Sequence, residues 1–123
     1  MQVNVRAKEL LNDFERMQQT FQTEGKTLVD RLSLIGERAA KNKAPVDTGN
    51  LRRSVRVVPT QVFSSQIRGG FATNVEYAPF VNNGHRTRHG GYVTGKHFME
   101  AGEMEIQAKS DAEIARFLGK VIK

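Results

Sequence analysis

Apolar residues recur at spacings of three and four along the N-terminal third of the chain, until a proline interrupts the pattern. The apolar positions are Leu10, Phe14, Met17, Phe21, Leu28, Leu32, Ile35 and Ala39. This spacing places them on one face of a helix, and we expect helical structure over residues 5–42. Gly25 weakens the middle of the segment, so the pattern fits either two helices that meet near residues 23–25 or one long helix. Pro45 ends the segment, because the residue before a proline disfavours the α conformation.

The middle of the chain, residues 54–75, has the composition of β-structure. Val, Ile, Thr, Phe and Gln are frequent there, and short alternating stretches are typical of half-buried strands. We expect an antiparallel hairpin with strands over residues 54–62 and 65–75. Pro59 indicates an edge strand or a break, and Gly69–Gly70 indicate a bulge or a sharp twist in the second strand. Such a hairpin must pack on the helices or on another chain, because two strands alone are marginally stable.

A short helical turn and a polar loop follow the hairpin. Tyr77, Phe80 and Val81 fit one turn that ends at Gly84, a residue suited to a left-handed cap. Residues 84–95 contain several glycines and cations but few apolar side chains. We therefore expect a long mobile loop or arm at this point of the chain.

The C-terminal segment, residues 96–122, returns to helical spacing of its apolar residues. Ser110 and Glu113 have the spacing of a capping box, which is compatible with a second terminal helix that begins at Ser110. The chain shows neither internal repeats nor an interdomain linker. We therefore predict one α+β domain over residues 1–123, with a helical N-terminal region, an antiparallel β hairpin, a mobile loop and a C-terminal helix.

The composition is typical of a globular protein that needs no covalent framework. The chain has 123 residues, a mass of 13.8 kDa, 38% apolar residues and no cysteine. A chain of this size buries enough surface to fold without disulfides or metals. Its apolar runs are far shorter than the ~20 residues that span a bilayer, and its N-terminus lacks the apolar core of a signal peptide. We expect a protein that is made in the cytoplasm and makes no membrane contact.

The charge is basic, with a net value of +6 and an isoelectric point near 10.0. One group of cations flanks the predicted strands, and a second lies in the loop: Arg52, Arg53, Arg56 and Arg68, then His85, Arg86, Arg88, His89 and Lys96. A basic loop can neutralise phosphates without reading bases. The sequence thus leaves two interpretations open, a loop that faces solvent or another subunit, and nonspecific contact with DNA.

Asp47, Thr48 and Gly49 spell the triplet of aspartic proteases. That chemistry requires two desolvated carboxyl groups that share a proton. Arg52 and Arg53 would hold such carboxylates ionised. The triplet is better explained as the cap of a short helical turn.

Two further motifs lie near the loop. Gly90 to Lys96 approaches the spacing of a phosphate-binding loop, but His97 stands where a Ser or Thr would bind Mg²⁺, and no buried strand precedes it. His85 and His89 are four residues apart, without the additional ligands that zinc requires. We predict no catalytic residue, no metal site and no cofactor, and therefore expect that the protein is not an enzyme.

Two ordered motifs resemble a known family. The first reads Ala44-Pro45-Val46-Asp47-Thr48-Gly49-Asn50-Leu51-Arg52-Arg53-Ser54, and the second reads Val75-Glu76-Tyr77-Ala78-Pro79-Phe80-Val81 followed by Gly84. Their combination resembles the small tail-completion (head–tail joining) family of long-tailed bacteriophages and prophages. The chain departs from the family pattern at Asn83, where an acidic residue is usual, and at His97, where a proline is usual.

The resemblance implies a structural virion protein of the phage neck. Members of the family act as rings, often of six subunits, between the head–tail connector and the tail tube or terminator proteins. The resemblance thus implies a homo-oligomer, these virion partners, and a loop that takes part in assembly or faces the channel through which DNA passes. The motif residues are then structural rather than catalytic: Pro45, Asp47, Thr48, Gly49, Leu51, Ser54, Tyr77, Ala78, Val81 and Gly84. In this interpretation Leu51 anchors the turn in the core, and Tyr77 and Val81 pack against the N-terminal helix.

Overall fold

The structure, a computed structural model, describes residues 7–45 and 49–122. Its elements in chain order are α1 (Ala7–Lys43), α2 (Asn50–Ser54), β1 (Arg56–Val62), β2 (Ile67–Ala72), α3 (Ala78–Asn83), β3 (Gly84–Arg86), β4 (Tyr92–Thr94) and α4 (Phe98–Ile122). Two long helices and two small antiparallel sheets make an α+β fold, which confirms the predicted fold class. Residues 5–6 of the predicted first helix, and Asp47 and Thr48 of the first motif, lie outside the described residues.

The first helix, α1, is continuous, so the alternative of two helices that meet near residues 23–25 is wrong. Gly25 is buried within it, and a Cβ atom at this position would collide with the side chain of Ile67 on β2. The glycine therefore permits close packing of the hairpin on the helix. This packing offsets the ~1 kcal/mol that a glycine costs in a helix interior.

The most deeply buried positions of the N-terminal region carry small residues. These positions are Gly25, Ser33, Gly36, Ala40 and Ala44. Phe14 and Met17, which the apolar pattern places on the core face, remain 57% and 42% exposed. The helix thus buries its backbone closely against its neighbours, and its larger side chains near the N-terminus are left partly in solvent.

The last helix, α4, is also continuous, and no second helix begins at Ser110. The Ser110 hydroxyl donates instead to the carbonyl oxygen of Gln107 within the helix, at 3.0 Å. Glu113, the other half of the predicted capping box, forms an ion pair with Arg31 of α1 at 3.2 Å. Among the described residues, no helix has the length and apolarity needed to cross a membrane.

The two long helices pack antiparallel. Phe21 and Phe117 meet edge to face with ring centroids 5.8 Å apart, and Lys120 of α4 pairs with Glu24 of α1 at 3.3 Å.

The core lies at the opposite end of the helix pair. It contains Ala40, Ala44, Leu51, Val55, Ala78 and Phe98, each at most 5% exposed. The core thus joins the end of α1 and the start of α4 to both motif segments.

The hairpin of β1 and β2 has a bulge in its first strand. Val58 pairs with Gly70 and Gln61 pairs with Arg68, so two residues of β1, Pro59 and Thr60, stand opposite one residue of β2. The predicted bulge was assigned to the second strand at Gly69–Gly70, and that assignment is wrong. Proline within a sheet is found on edge strands and at bulges, and Pro59 occupies both kinds of position here.

The strand β1 is attached to α1 by two carboxylates. The Val57 N–H donates to Oε2 of Glu37 at 2.7 Å, and the Thr60 hydroxyl donates to the carboxylate of Asp30. Asp30 and Glu37 are seven residues apart and therefore lie on one side of α1. The second strand lies over the close-packed glycines, because Ile67 covers Gly25.

Asp30 makes this attachment sensitive to acid. Hydrogen bonds from Lys26 and from Thr60 hold the pKa of the Asp30 carboxyl below its usual value. Because the folded-state pKa is lowered, the stabilisation is present above the unfolded pKa of ~3.9 and is lost as pH falls through the folded pKa. We expect the melting temperature of the wild type to fall more than that of Asp30→Asn between about pH 5 and about pH 2. Circular dichroism melts measure this difference.

The exposed carboxylate Glu76 provides the control for this experiment. Glu76→Gln should retain the acid response of the wild type, because no described hydrogen bond or ion pair links this side chain to the fold. If Asp30→Asn and the wild type lose melting temperature in parallel, the Asp30 carboxylate does not contribute to attaching β1.

Candidate assembly surface

The described residues of the first motif after residue 48 form α2 and its N-cap. Gly49, the N-cap of α2, has φ of 73°, a left-handed conformation that favours glycine. Leu51 is buried in the core, as predicted. The Ser54 hydroxyl lies 2.6 Å from the Leu51 carbonyl oxygen and 2.6 Å from the Thr73 hydroxyl. These contacts join the first motif to the chain that leaves β2.

Two of the predicted cations serve this local structure. Arg52 donates from Nη2 to the Ala44 carbonyl oxygen at 3.2 Å, which satisfies a backbone acceptor beyond the end of α1. Arg53 donates to the side-chain oxygen of Asn50 at 2.8 Å. The predicted cap of this turn by Asp47 or Thr48 falls outside the described residues. The N-cap position of α2 is Gly49, so α2 has no side-chain cap at that position.

The second motif forms α3, as the sequence predicts. Ala78 is buried, and Val81 packs against the core cluster. Tyr77 is 43% exposed, and its expected packing on α1 stays a prediction. Gly84 ends the helix with φ of 87° and donates its N–H to the Phe80 carbonyl oxygen.

Asn82 is the polar centre of this region, although sequence reasoning did not select it. It is only 8% exposed. Its Oδ1 accepts the Met99 N–H at 3.0 Å, and its Nδ2 donates to Glu100 at 3.1 Å. Asn82 therefore caps the first turn of α4 from a distant part of the chain. The sequence around Asn82 gives no capping signal for α4, because α4 begins only after the whole polar loop.

The residues after α3 form a second hairpin whose base is held rigidly. Lys96 and His97 donate their N–H groups to the carbonyl oxygens of Val81 and Asn82 at 2.9 and 3.0 Å. The Tyr92 hydroxyl donates to the Asn83 carbonyl oxygen at 3.0 Å. The α3 carbonyl groups are thereby satisfied, and the hairpin has a defined position relative to α3 and α4.

The predicted long loop contains a short antiparallel ladder of β3 and β4. Gly84 pairs with Thr94, and Arg86 pairs with Tyr92. At the tip, the Thr87 N–H donates to the Gly91 carbonyl oxygen at 2.8 Å, and the Gly91 N–H donates to the Thr87 hydroxyl at 2.9 Å. The sequence missed these strands because the segment is polar and lacks the apolar alternation of a half-buried strand.

We refer to residues 84–96 as the basic hairpin. Its cations His85, Arg86, Arg88, His89 and Lys96 are all exposed. None of these five side chains forms an ion pair within the described part of the chain. The structure thus brings the predicted loop residues together on one projecting element, with no carboxylate between residues 84 and 96.

The two sides of the basic hairpin differ in chemistry. Arg86 and Tyr92 are directly opposite and share one side of the ladder, whereas His85 and Val93 share the other. The His85 ring meets Phe80 edge to face at 6.3 Å. One side therefore offers a cation beside an aromatic ring that is 63% exposed, and the other offers an apolar surface.

The weaker sequence motifs do not assemble into the sites they suggested. Residues 90–96 form the hairpin tip and β4, whereas a phosphate-binding loop connects a buried strand to a helix. Within residues 7–45 and 49–122, no group of three or more His, Cys, Asp or Glu residues has the arrangement of a metal site.

Comparison with protein families supports the resemblance carried by the two motifs. Residues 8–84 match the family described as "Bacteriophage HK97-gp10, putative tail-component". The chain belongs to this family. The match covers α1, the first hairpin and both motifs, and it ends where the basic hairpin begins. No curated protein and no solved structure shows significant similarity to the chain.

Proposed function

We propose that this phage tail-component family member is a structural virion protein of the head–tail junction, where it acts as a ring-forming subunit. The family match over residues 8–84 carries this proposal. The surface supports it, because Phe80, Tyr92 and Met104 are each more than half exposed. Aromatic residues and methionine are enriched at protein–protein interfaces relative to the rest of the surface.

The proposed neighbours are further copies of the chain, the head–tail connector, and the tail tube or terminator proteins. The role we propose is structural and not enzymatic. Gly49, Leu51 and Ala78 support this view, because each contributes to turn geometry or core packing. These three motif residues therefore have an explanation in folding.

Deletion of the gene in the phage or prophage that encodes the chain tests the proposal. We expect filled heads and finished tails to accumulate as separate particles in electron micrographs, and a plasmid copy should restore joined virions. Joined, infectious particles in the absence of the protein would contradict a junction role. Tails of abnormal length would favour the tail-terminator role instead.

The basic hairpin supports a second part of the proposal, nonspecific contact with DNA in the neck channel. Its unpaired cations, with Tyr92 beside Arg86, form a surface that can neutralise phosphates and stack on bases. The same surface would suit a small basic nucleic-acid-binding protein, the alternative to a neck role. The deletion phenotype separates these two functions.

Reversal of two charges tests the DNA contact. We expect Arg86→Glu with Arg88→Glu to weaken duplex DNA binding at least tenfold and to reduce the salt dependence of log K by about 2, because each lost phosphate contact lowers that slope by about 1. Fluorescence anisotropy at several salt concentrations measures both quantities.

Arg38 and Lys43, two exposed cations of α1, provide a control with the same change in net charge. Their reversal should alter the affinity less than threefold if contact is local to the basic hairpin. Equal losses in the two double variants would show a net-charge effect. Wild-type infectivity of the Arg86→Glu, Arg88→Glu phage would contradict a role for the basic hairpin in the virion.

A further inference from the structure

The helix α4 presents an exposed, mainly apolar face with one acidic residue on the side away from the core. Its members recur at spacings of four, three, four, three and four: Met104, Ala108, Asp111, Ala115, Leu118 and Ile122. Met104 is 69% exposed and Ile122 is 70% exposed. The opposite side of α4 carries the buried residues Phe98 and Gly102. We call this exposed surface the outer face of α4.

A second exposed surface lies beside β1. It is an open groove of about 770 Å³ whose apolar lining includes Val57, Val58, Pro59 and Tyr77. Val58 and Tyr77 are each 43% exposed. Arg56 lies on the same groove, is exposed, and forms no ion pair within the described residues. We call this surface the β1 groove.

The β1 groove is not suited to the addition of another strand. The outward N–H of Val57 is already donated to Glu37. By the alternation of the ladder, the next outward position is Pro59, which has no N–H. The edge is thus protected in the way that edge strands commonly are, and a binding partner must contact it through side chains.

The elements that carry the two surfaces lie on opposite sides of α1. The strand β1 is attached at Asp30 and Glu37 of α1. The helix α4 contacts the other side of α1, through residues such as Phe21 and Arg31. Glu37 and Ile35 of α1 are two residues apart, hence about 200° apart around the helix, and Ile35 lines the groove between α1 and α4. The outer face of α4 therefore lies on one side of α1, and the β1 groove lies on the other side.

The charges of the two surfaces are complementary. Asp111 on the outer face of α4, and Glu103 at its edge, are exposed and form no ion pair within the described part of the chain. They would meet Arg56 at the β1 groove. Contact between two outer faces of α4 would place Asp111 against Asp111 near the centre, and contact between the basic hairpin and the β1 groove would oppose cations; like charges held close together are unfavourable.

We infer that the outer face of α4 of one copy docks into the β1 groove of the next copy. The contact is heterologous, and its repetition generates a ring if the rotation closes. It rests on the proposed ring-forming function and specifies which surfaces form the subunit interface. Met104 and Leu118 would enter the groove beside Val58 and Tyr77, with Asp111 near Arg56.

The absence of cysteine from the sequence permits a clean cross-linking test. We expect the double variant Met104→Cys, Val58→Cys, treated with a short bismaleimide, to give a ladder of dimers, trimers and larger species. A mixture of the two single variants should give mainly cross-linked dimers. The control pairs Met104→Cys with Ser65→Cys, an exposed position in the turn after β1, and should give at least fivefold less product.

Charge exchange provides an independent measurement. Arg56→Glu alone and Asp111→Arg alone should each weaken self-association at least tenfold in sedimentation velocity, and the two together should restore it to within about threefold of the wild type. Both residues are exposed, so folding should be retained, and circular dichroism verifies this.

The outcomes distinguish the interface from the proposed function. Efficient dimers from Met104→Cys alone would indicate a twofold contact between α4 helices and would overturn the inference. The inference would also be overturned if the wild type never self-associates, or if the double cysteine variant gives no ladder. If the ladder is absent but the gene deletion still separates heads from tails, the junction role stands and only this interface is wrong.

Discussion

Replacement of Gly102 by alanine is expected to destabilise the protein by about 2 kcal/mol, because the added methyl group has no space. A Cβ atom at this position would lie 2.6 Å from the carbonyl oxygen of Gly36 in α1 and would also collide with the Phe71 ring. The backbone of α4 at Gly102 lies directly against the backbone of α1 at Gly36 and against the Phe71 ring. The Gly36 carbonyl group is fixed within α1, so it cannot move aside as the end of a flexible side chain can. The melting temperature should fall by about 8 °C in a chain of this size.

The same helix contains its own control. Gly119 also lies in α4, and a Cβ atom there would meet no other atom within 4 Å. Gly119→Ala should therefore raise stability by up to ~1 kcal/mol through helix propensity alone. Thermal melts of the two variants should move in opposite directions. If both melting temperatures rise, the close approach of α1 and α4 at Gly36 and Gly102 does not exist.

Replacement of Asn82 by alanine is the other change with a large expected effect. It would remove the acceptor of the Met99 N–H and the donor to Glu100 in one step. A buried polar group left without a partner costs about 1–3 kcal/mol, and loss of an N-cap costs about 1 kcal/mol. We expect a total loss of about 2–3 kcal/mol, measured by urea denaturation.

Asn83 provides the matched control for this variant. It is the adjacent asparagine, it is exposed, and Tyr92 bonds to its backbone oxygen, which alanine retains. Its Oδ1 accepts from Asn82 Nδ2 at 3.0 Å, and in the variant that donor still has Glu100 as a partner. Asn83→Ala should change stability by less than about 0.5 kcal/mol. Hydrogen exchange gives a local readout, because the Met99 amide should lose protection in Asn82→Ala and keep it in Asn83→Ala. Equal changes in stability and in Met99 amide protection in the two variants would show that Asn82 does not cap α4.

Local patterns predicted the elements whose signals lie within a few residues. The spacing of apolar residues indicated α1, Pro45 indicated its end, and Gly84 indicated the end of α3 with its positive φ. The strands of the first hairpin were predicted within a few residues of β1 and β2. Each of these features depends on propensity or steric restriction of a short segment, which is readable without knowledge of the fold.

The errors concern residues whose role depends on distant partners. Gly25 and Ser110 interrupt a local helical pattern, yet both helices continue because each segment packs along the other. The bulge falls in β1 at Pro59 and Thr60, opposite a single residue of β2. Asn82 was missed because the helix it caps begins far along the chain. In the two long helices, tertiary packing overrides local preferences of about 1 kcal/mol.

The amino-acid sequence alone was sufficient for the fold class, the family motifs and the basic character of the segment after Gly84. These properties follow from composition and short-range order. Only the tertiary structure decided that the basic segment is a hairpin anchored on Val81 and Asn82, and that α4 and β1 expose surfaces on opposite sides of α1. The physical reason is that burial and exposure are properties of the packed chain, since the same helical spacing can face a core or remain open to a second molecule.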